Sequence, residues 1–151
     1  MSQALSLEIL NRLEQTLRRV SARAIEESEP GMLVENVQRM TATVFGTLPA
    51  ETLLWWSSRT FAGDWLLPDA RYLRLGEALY WYGEQRRWAR DHGVSSQSPQ
   101  LMVDDWWHPR WLPLFLIDGG MFYAIDVAAS DGTSAPILRM TRSRLAASSS
   151  T

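Results

Sequence analysis

The chain has 151 residues and a formal net charge of −2, an acidic balance that argues against nucleic acid as a partner. This length is typical of one domain, which would bury about 70% of the surface that its unfolded chain exposes. The absence of cysteine excludes disulfide bonds, thiolate zinc sites and cysteine nucleophiles, and the absence of lysine (all 15 basic residues are arginine) excludes Schiff-base and P-loop lysine chemistry.

Two amphipathic helices are predicted at the start of the chain. Apolar residues spaced three and four apart indicate a first helix over about residues 5–28, which Pro30-Gly31 would end. The same spacing predicts a second helix that ends at Gly46. Its apolar stripe consists of Leu33, Val37, Met40 and Val44.

Two further helices are expected before residue 92. Leu48-Pro49-Ala50-Glu51 is a typical helix start, because proline suits the first turn and an acid is favoured near the positive end of the helix dipole. This third helix should end near residues 61–64, with Leu53, Trp56 and Thr60 on one side. A fourth helix is predicted over about residues 76–91, followed by a polar loop over 92–100. One of its sides carries Leu79, Tyr82 and Arg86, and another carries Trp81, Gln85 and Trp88.

The last third of the chain has the pattern of an antiparallel meander. Residues 112–117 and 121–127 flank Asp118-Gly119-Gly120, which is a good hairpin signal. Asp131-Gly132 predicts another turn before a third strand at residues 136–140. Helices followed by a mainly antiparallel sheet indicate a single α+β domain over residues 1–145, with a flexible tail at 146–151.

No membrane or export signal is apparent in the sequence. The first ten residues are followed at once by Asn11, Arg12 and Glu14, unlike a secretory signal. The longest strongly apolar run, at residues 111–117, is far shorter than the ~20 residues that span a bilayer. We therefore expect a cytoplasmic protein without a membrane partner.

Catalytic and metal-binding motifs are weak. Asp104, Asp105 and His108 could supply metal ligands from one helical turn, but Pro109 disfavours a helix through His108. The two acids are better interpreted as solvated loop residues. Nucleophile elbows and phosphate-binding glycine loops are missing, and the spacing of the carboxylates does not favour an acid/base pair. We expect no enzymatic activity, no metal and no cofactor.

All eight tryptophans lie between Trp55 and Trp111. Neighbours in a helix or strand point in different directions, so one core cannot easily bury both rings of Trp55-Trp56 or of Trp106-Trp107. The rings can be interpreted as core residues, as protein-interface anchors or as a sugar-stacking platform. The division we favour puts Trp111, Trp56 and Trp88 in the core. Interface candidates are Trp106 or Trp107, and one of Trp55 and Trp81.

An ordered set of motifs supports a family resemblance. Trp107-His108-Pro109-Arg110-Trp111-Leu112-Pro113-Leu114 is followed by Asp118-Gly119-Gly120, Tyr123-Ala124-Ile125-Asp126, Asp131-Gly132 and Pro136-Ile137. Upstream lie Gly46-Thr47-Leu48-Pro49 and Phe61-Ala62-Gly63. This succession, over about residues 33–140, resembles the SUKH superfamily, which includes fungal Smi/Knr-type cell-wall regulators and many bacterial immunity proteins.

The resemblance implies a fold and a role. It implies a mixed, mainly antiparallel sheet packed against helices, without catalysis, in a protein that neutralises a cognate toxin, encoded nearby, by occlusion. Family members usually continue into a last helix where this chain has a serine-rich tail. The corresponding sheet face would then be bare, or covered by a partner, by the first helix or by a second copy in a homodimer. The residues that match the family pattern, and that would serve the fold, are Leu48, Pro49, Gly63, Trp111, Pro113, Gly119 and Asp126.

Partner binding is assigned to residues outside that pattern. Asp104, Asp105, Trp106 and Trp107 form an acidic-aromatic patch that could meet the basic cleft of a nuclease toxin, with Trp55 and Trp81 as further anchors. Two alternatives stay open. One is a regulatory scaffold that binds an endogenous partner, and the other is a tryptophan-based sugar-binding module.

Overall fold

A computed structural model describes residues 5–20, 26, 28–60, 70–95, 107–117 and 121–140. Within these ranges the helices are α1 (Leu7–Val20), α2 (Val34–Phe45), α3 (Ala50–Ser58) and α4 (Leu75–Ser95), with a short 3-10 helix at Val127–Ala129. None of the helices in this part of the chain is both long and apolar enough to cross a membrane.

The strands form two antiparallel sheets. A short ribbon pairs β1 (Glu29–Pro30) with β2 (Arg59–Thr60). The main sheet has the order β3-β4-β5-β6 and consists of Ala70–Tyr72, Trp111–Ile117, Met121–Asp126 and Ile137–Met140. The chain thus has the α+β architecture predicted from its sequence, including the hairpin and the third strand after residue 136.

Helices pack on both faces of the main sheet. On one face Phe122 of β5 meets Trp81 of α4, with ring centroids 5.8 Å apart. On the other face Phe115 of β4 meets Trp55 of α3 at 6.1 Å. One cluster of buried residues runs from Leu17 in α1 to Val127 after β5, so the helices and the sheet share a single core.

Helix α2 is rotated relative to the sequence prediction. Val37 is fully buried, as expected, but the rest of its buried side is formed by Thr41 and Phe45. The Thr41 hydroxyl donates 2.8 Å to the Val37 carbonyl, so burying it leaves no unmet hydrogen bond. The predicted stripe was wrong for its other three members, which are 68%, 40% and 41% exposed: Leu33, Met40 and Val44.

Two helix ends also differ from the predicted ones. Helix α3 ends at Ser58 because Arg59 takes an extended conformation and pairs with Pro30, so Thr60 lies in a strand. Helix α4 continues to Ser95, four residues past its predicted end, into the stretch that we expected to be a loop. In the first case the pairing of Arg59 with Pro30 ends the helix early. In the second case the helix continues through residues whose polar composition had indicated a loop.

The amino end of α3 is capped from a distant loop. Pro49 precedes the helix and offers no side-chain cap. Instead, the N–H groups of Ala50 and Glu51 donate to the carbonyls of Gly132 and Thr133, each at 3.0 Å. The turn over 131–134 is held by the Asp131 carboxylate, which accepts the N–H groups of Ser134 and Thr133 at 2.8 Å. These bonds hold the pKa of Asp131 below its ordinary value.

Candidate partner-binding site

The acidic-aromatic patch is only partly within the described residues. Asp104, Asp105 and Trp106 lie outside them. Trp107 is 2% exposed and packs against Phe122 and Trp111, with centroid distances of 5.5 and 5.9 Å. This burial contradicts the partner-binding role predicted for Trp107, because a ring inside the core cannot contact another protein.

The segment that carries Trp107 is anchored to α4. The Tyr82 hydroxyl donates 2.8 Å to the Pro109 carbonyl, and the Arg86 guanidinium donates to the Trp107 carbonyl. Tyr82 and Arg86 are one turn apart, so they lie on the same side of the helix, as the sequence predicted. The Trp107 indole N–H donates 3.1 Å to the Trp111 carbonyl, which fixes the start of β4.

His108 takes part in this local structure. Its Nδ1 accepts the N–H of Arg110 at 3.0 Å, and its ring lies 5.7 Å from that of Trp111. The described residues contain no group of three or more His, Asp or Glu side chains that could hold a metal ion.

Trp81 and its neighbour Tyr80 form an aromatic step on α4. Trp81 is half-buried against Phe122, whereas Tyr80 is 61% exposed, and their centroids are 5.4 Å apart in an edge-to-face arrangement. Of this pair, therefore, Tyr80 presents the larger surface to a partner, although only Trp81 was singled out from the sequence.

Trp55 lines an apolar groove of about 280 Å³ on the face of the main sheet against which α3 packs. One wall is the start of the described chain, with Leu5 and Ile9. The helix α3 contributes Trp55 and Thr52, and the sheet supplies Leu114, Phe115, Ile125 and Ile137. Ala135, two residues before β6, completes this part of the lining. Of the three predicted partner-binding residues that the structure describes, Trp55 is the one in a concave apolar site.

A single carboxylate holds the two sides of the groove together. One oxygen of Glu51 accepts the N–H of Leu5 at 3.0 Å, and the other accepts the N–H of Ala135 at 3.2 Å. The groove is thus enclosed by chain segments that Glu51 ties to α3. Its shape depends on hydrogen bonds as well as on packing.

Beneath the groove, Trp55 packs on Tyr72 and Phe115 in an aromatic cluster with centroid distances of 5.8 to 6.1 Å. Tyr72 is 1% exposed. Burial raises the pKa of its phenol well above the ordinary value of about 10, with a smaller contribution from Glu77. Arg74 and the hydrogen bond to the Thr60 side chain act in the opposite direction on this pKa.

The buried phenol should make the protein sensitive to alkali. Above pH ~10 the unfolded chain ionises Tyr72 while the folded chain keeps it protonated, so the free energy of unfolding falls by roughly 1 kcal/mol per pH unit from this residue. Tyr72→Phe should remove that component. Urea unfolding of both proteins from pH 7 to 11 measures it. The free energy of unfolding of the wild type minus that of Tyr72→Phe should be constant from pH 7 to 9 and should decrease above pH 10. A constant difference over the whole range would contradict the effect.

The structure describes five of the seven residues that match the family pattern. Leu48 and Pro49 are buried, and Asp126 ends β5. The strand register shifts between Pro113 and Phe115, so Pro113 lies at a bulge, where a missing N–H is tolerated. Trp111 is half-buried against the core. Gly63 and Gly119 lie outside the described residues.

Most of the groove was missed by sequence reasoning. Ile137 was assigned to a strand and Ile9 lies within the first predicted helix, but their proximity depends on tertiary packing. A usable signal was the apolar residue Leu5, which precedes the apolar stripe of the first predicted helix (Leu10, Leu13, Leu17, Val20 and Ala24) and does not belong to it.

Comparison with protein-family models, with curated proteins and with solved structures finds no match to this chain. The resemblance to the SUKH superfamily therefore stays a prediction that rests on the ordered motifs in the sequence.

Proposed function

We propose that this protein is a non-enzymatic, cytoplasmic protein-binding domain of the SUKH type that neutralises a cognate bacterial toxin by occlusion. The motif order between Trp107 and Ile137 supports the family and its immunity role. The observation that carries the binding function is the apolar groove lined by Trp55, between α3 and the main sheet.

The groove has the properties of a protein-anchor site. Its volume of about 280 Å³ accommodates one or two large side chains, and its lining is almost wholly apolar. Aromatic anchors that enter such desolvated pockets supply much of the binding energy in protein interfaces. Ile137 at its edge is 62% exposed, so the apolar surface continues beyond the groove.

Filling the groove should abolish protection. Ala135 lines it, so Ala135→Phe places a ring where a partner side chain would enter. We expect cells that co-express the variant with the toxin encoded next to this gene to stop growing, whereas the wild type restores growth. The variant should keep a melting temperature at or above that of the wild type, because the added ring buries apolar surface.

The matched control is Ala42→Phe, which makes the same substitution at an exposed position of α2. It should protect as well as the wild type does. Protection by Ala135→Phe would contradict the role of the groove. A neighbouring gene product that is neither toxic nor bound by the wild type would contradict the immunity function itself.

A further inference from the structure

Among the strands that the structure describes, β6 is an edge of the main sheet. It is the last strand in the order β3-β4-β5-β6, and β5 is the one described strand that pairs with it. Ile137 is 62% exposed and Arg139 is also exposed. An exposed edge strand is a template for pairing with another extended chain.

The hydrogen-bond register shows which backbone groups point outward. The N–H of Asp126 donates 2.9 Å to the carbonyl of Pro136, which makes Ile125–Ile137 a non-hydrogen-bonded pair. The pattern alternates along an antiparallel ladder, so Tyr123–Arg139 is the next pair of this kind. The N–H and C=O groups of Ile137 and Arg139 therefore point away from β5.

The side chains of these two residues share one face of the sheet. Ile137 lines the apolar groove. Arg139 lies two residues along, with its guanidinium carbon 5.9 Å from the centroid of the Tyr123 ring. In the described part of the chain, no carboxylate forms an ion pair with Arg139. The edge thus offers two backbone pairing sites, with an apolar side chain at the first and a cation at the second.

We propose that β6 accepts an extended segment of the partner protein as an added antiparallel strand, with an acidic residue opposite Arg139 and a large apolar residue opposite Ile137. This inference rests on the proposed function and names the chemistry of the partner. Because the strands are antiparallel, the segment reads acidic-x-apolar, and its apolar side chain enters the mouth of the groove. Backbone bonds would supply affinity and the alternate side chains specificity.

Charge favours a partner over a second copy of this chain. Two β6 strands paired about a two-fold axis at Leu138 would set Ile137 of each copy opposite Arg139 of the other. This pairing would give neither arginine an acidic partner. An acidic residue opposite Arg139 instead forms the favourable cross-strand charge pair.

A capped peptide of about seven residues with the core Glu-Thr-Ile tests the proposal on the full chain. Amide chemical shifts should change most at Ile137 and Arg139. Methylating the amide nitrogen of the peptide isoleucine should abolish binding, because that N–H faces the Ile137 carbonyl. Methylating the threonine nitrogen should not, because that N–H points away from β6. Absence of binding at about 1 mM peptide, or equal effects of the two methylations, would overturn the proposal.

A charge reversal tests the proposed pairing of Arg139 with an acidic residue of the added strand. Arg139→Glu should weaken peptide binding by roughly five- to ten-fold, and a peptide with arginine in place of glutamate should restore it. Arg90→Glu, the same change at an exposed position of α4, is the control and should leave the affinity unchanged. Equal peptide affinities of Arg139→Glu and the wild type would overturn the inference, as would a dimer through β6 detected by light scattering without peptide.

The proposed function and this inference can fail separately. If the wild type and Arg139→Glu protect cells equally, the immunity function stands and strand addition at β6 is overturned. If the wild type gives no protection, the immunity function is wrong. The peptide assay on the purified chain then still decides whether β6 accepts an added strand.

Discussion

Replacing Gly31 with alanine should destabilise the protein by about 3 kcal/mol or more. A Cβ atom at this position would lie 2.2 Å from the Ser57 carbonyl oxygen and 2.7 Å from the Ser58 nitrogen. These are backbone atoms, so no change of rotamer relieves the clash. The bond from the Met32 N–H to the Trp56 carbonyl, at 2.9 Å, holds the two segments together and would break if they separated. Urea unfolding measures the loss.

Gly83→Ala is the matched control. Gly83 lies inside α4, and a Cβ there meets nothing within 4 Å. Because glycine is a poor helix former, this variant should gain about 0.5–1 kcal/mol in the free energy of unfolding. Similar small effects of the two variants would mean that the approach between residue 31 and α3 is looser than the structure has it.

Trp107→Ala should also have a large effect, a loss of about 3–5 kcal/mol, because it empties a ring-sized space in the core. The loss includes the contacts with Phe122 and Trp111 and the indole bond to the Trp111 carbonyl. Trp107→Phe keeps much of the packing but leaves that carbonyl without its donor, which costs about 1 kcal/mol. Thermal and urea unfolding should rank the stabilities in the order wild type, Trp107→Phe, Trp107→Ala, from highest to lowest.

Tyr80→Ala is the comparison for an exposed aromatic residue. Tyr80 is 61% exposed, so its removal should change stability by no more than about 0.5 kcal/mol. If Trp107→Ala instead kept its stability and lost only partner binding, the interface role first predicted for Trp107 would be restored.

The architecture could be predicted because its signals are local. Helices α2 and α3 begin close to the positions that the apolar periodicity and Pro49 predicted. The strands β4 and β5 flank the Asp118-Gly119-Gly120 segment that predicted a hairpin. The expectation that neighbouring tryptophans are not both fully buried also holds for residues 55 and 56. Trp56 is 1% exposed and donates to the Leu73 carbonyl, while Trp55 is half-buried.

The predictions that were wrong concern features that depend on tertiary contacts. The stripe of α2 was wrong because a hydroxyl bonded to its own helix can be buried, so Thr41 replaced Met40 in the core. Trp107 was counted among the interface candidates because Tyr82 and Arg86, which bind its segment to α4, are 27 and 21 residues away from the carbonyls that they contact. The groove brings Leu5 and Ile137, which are 132 residues apart in the chain, to the same helix α3, and this proximity depends on tertiary packing.

The cap on α3 has a consequence for biosynthesis. Glu51 and the N–H of Ala135 that it binds are 84 residues apart. The carbonyls that cap the helix come from Gly132 and Thr133. While the ribosome is still translating, the N–H groups of Ala50 and Glu51 therefore lack these acceptors until residues 132 and 133 have emerged, whereas those of Thr52 and Leu53 already have the Pro49 carbonyl. A nascent chain stalled before residue 131 would thus carry a helix whose first two N–H groups are uncapped.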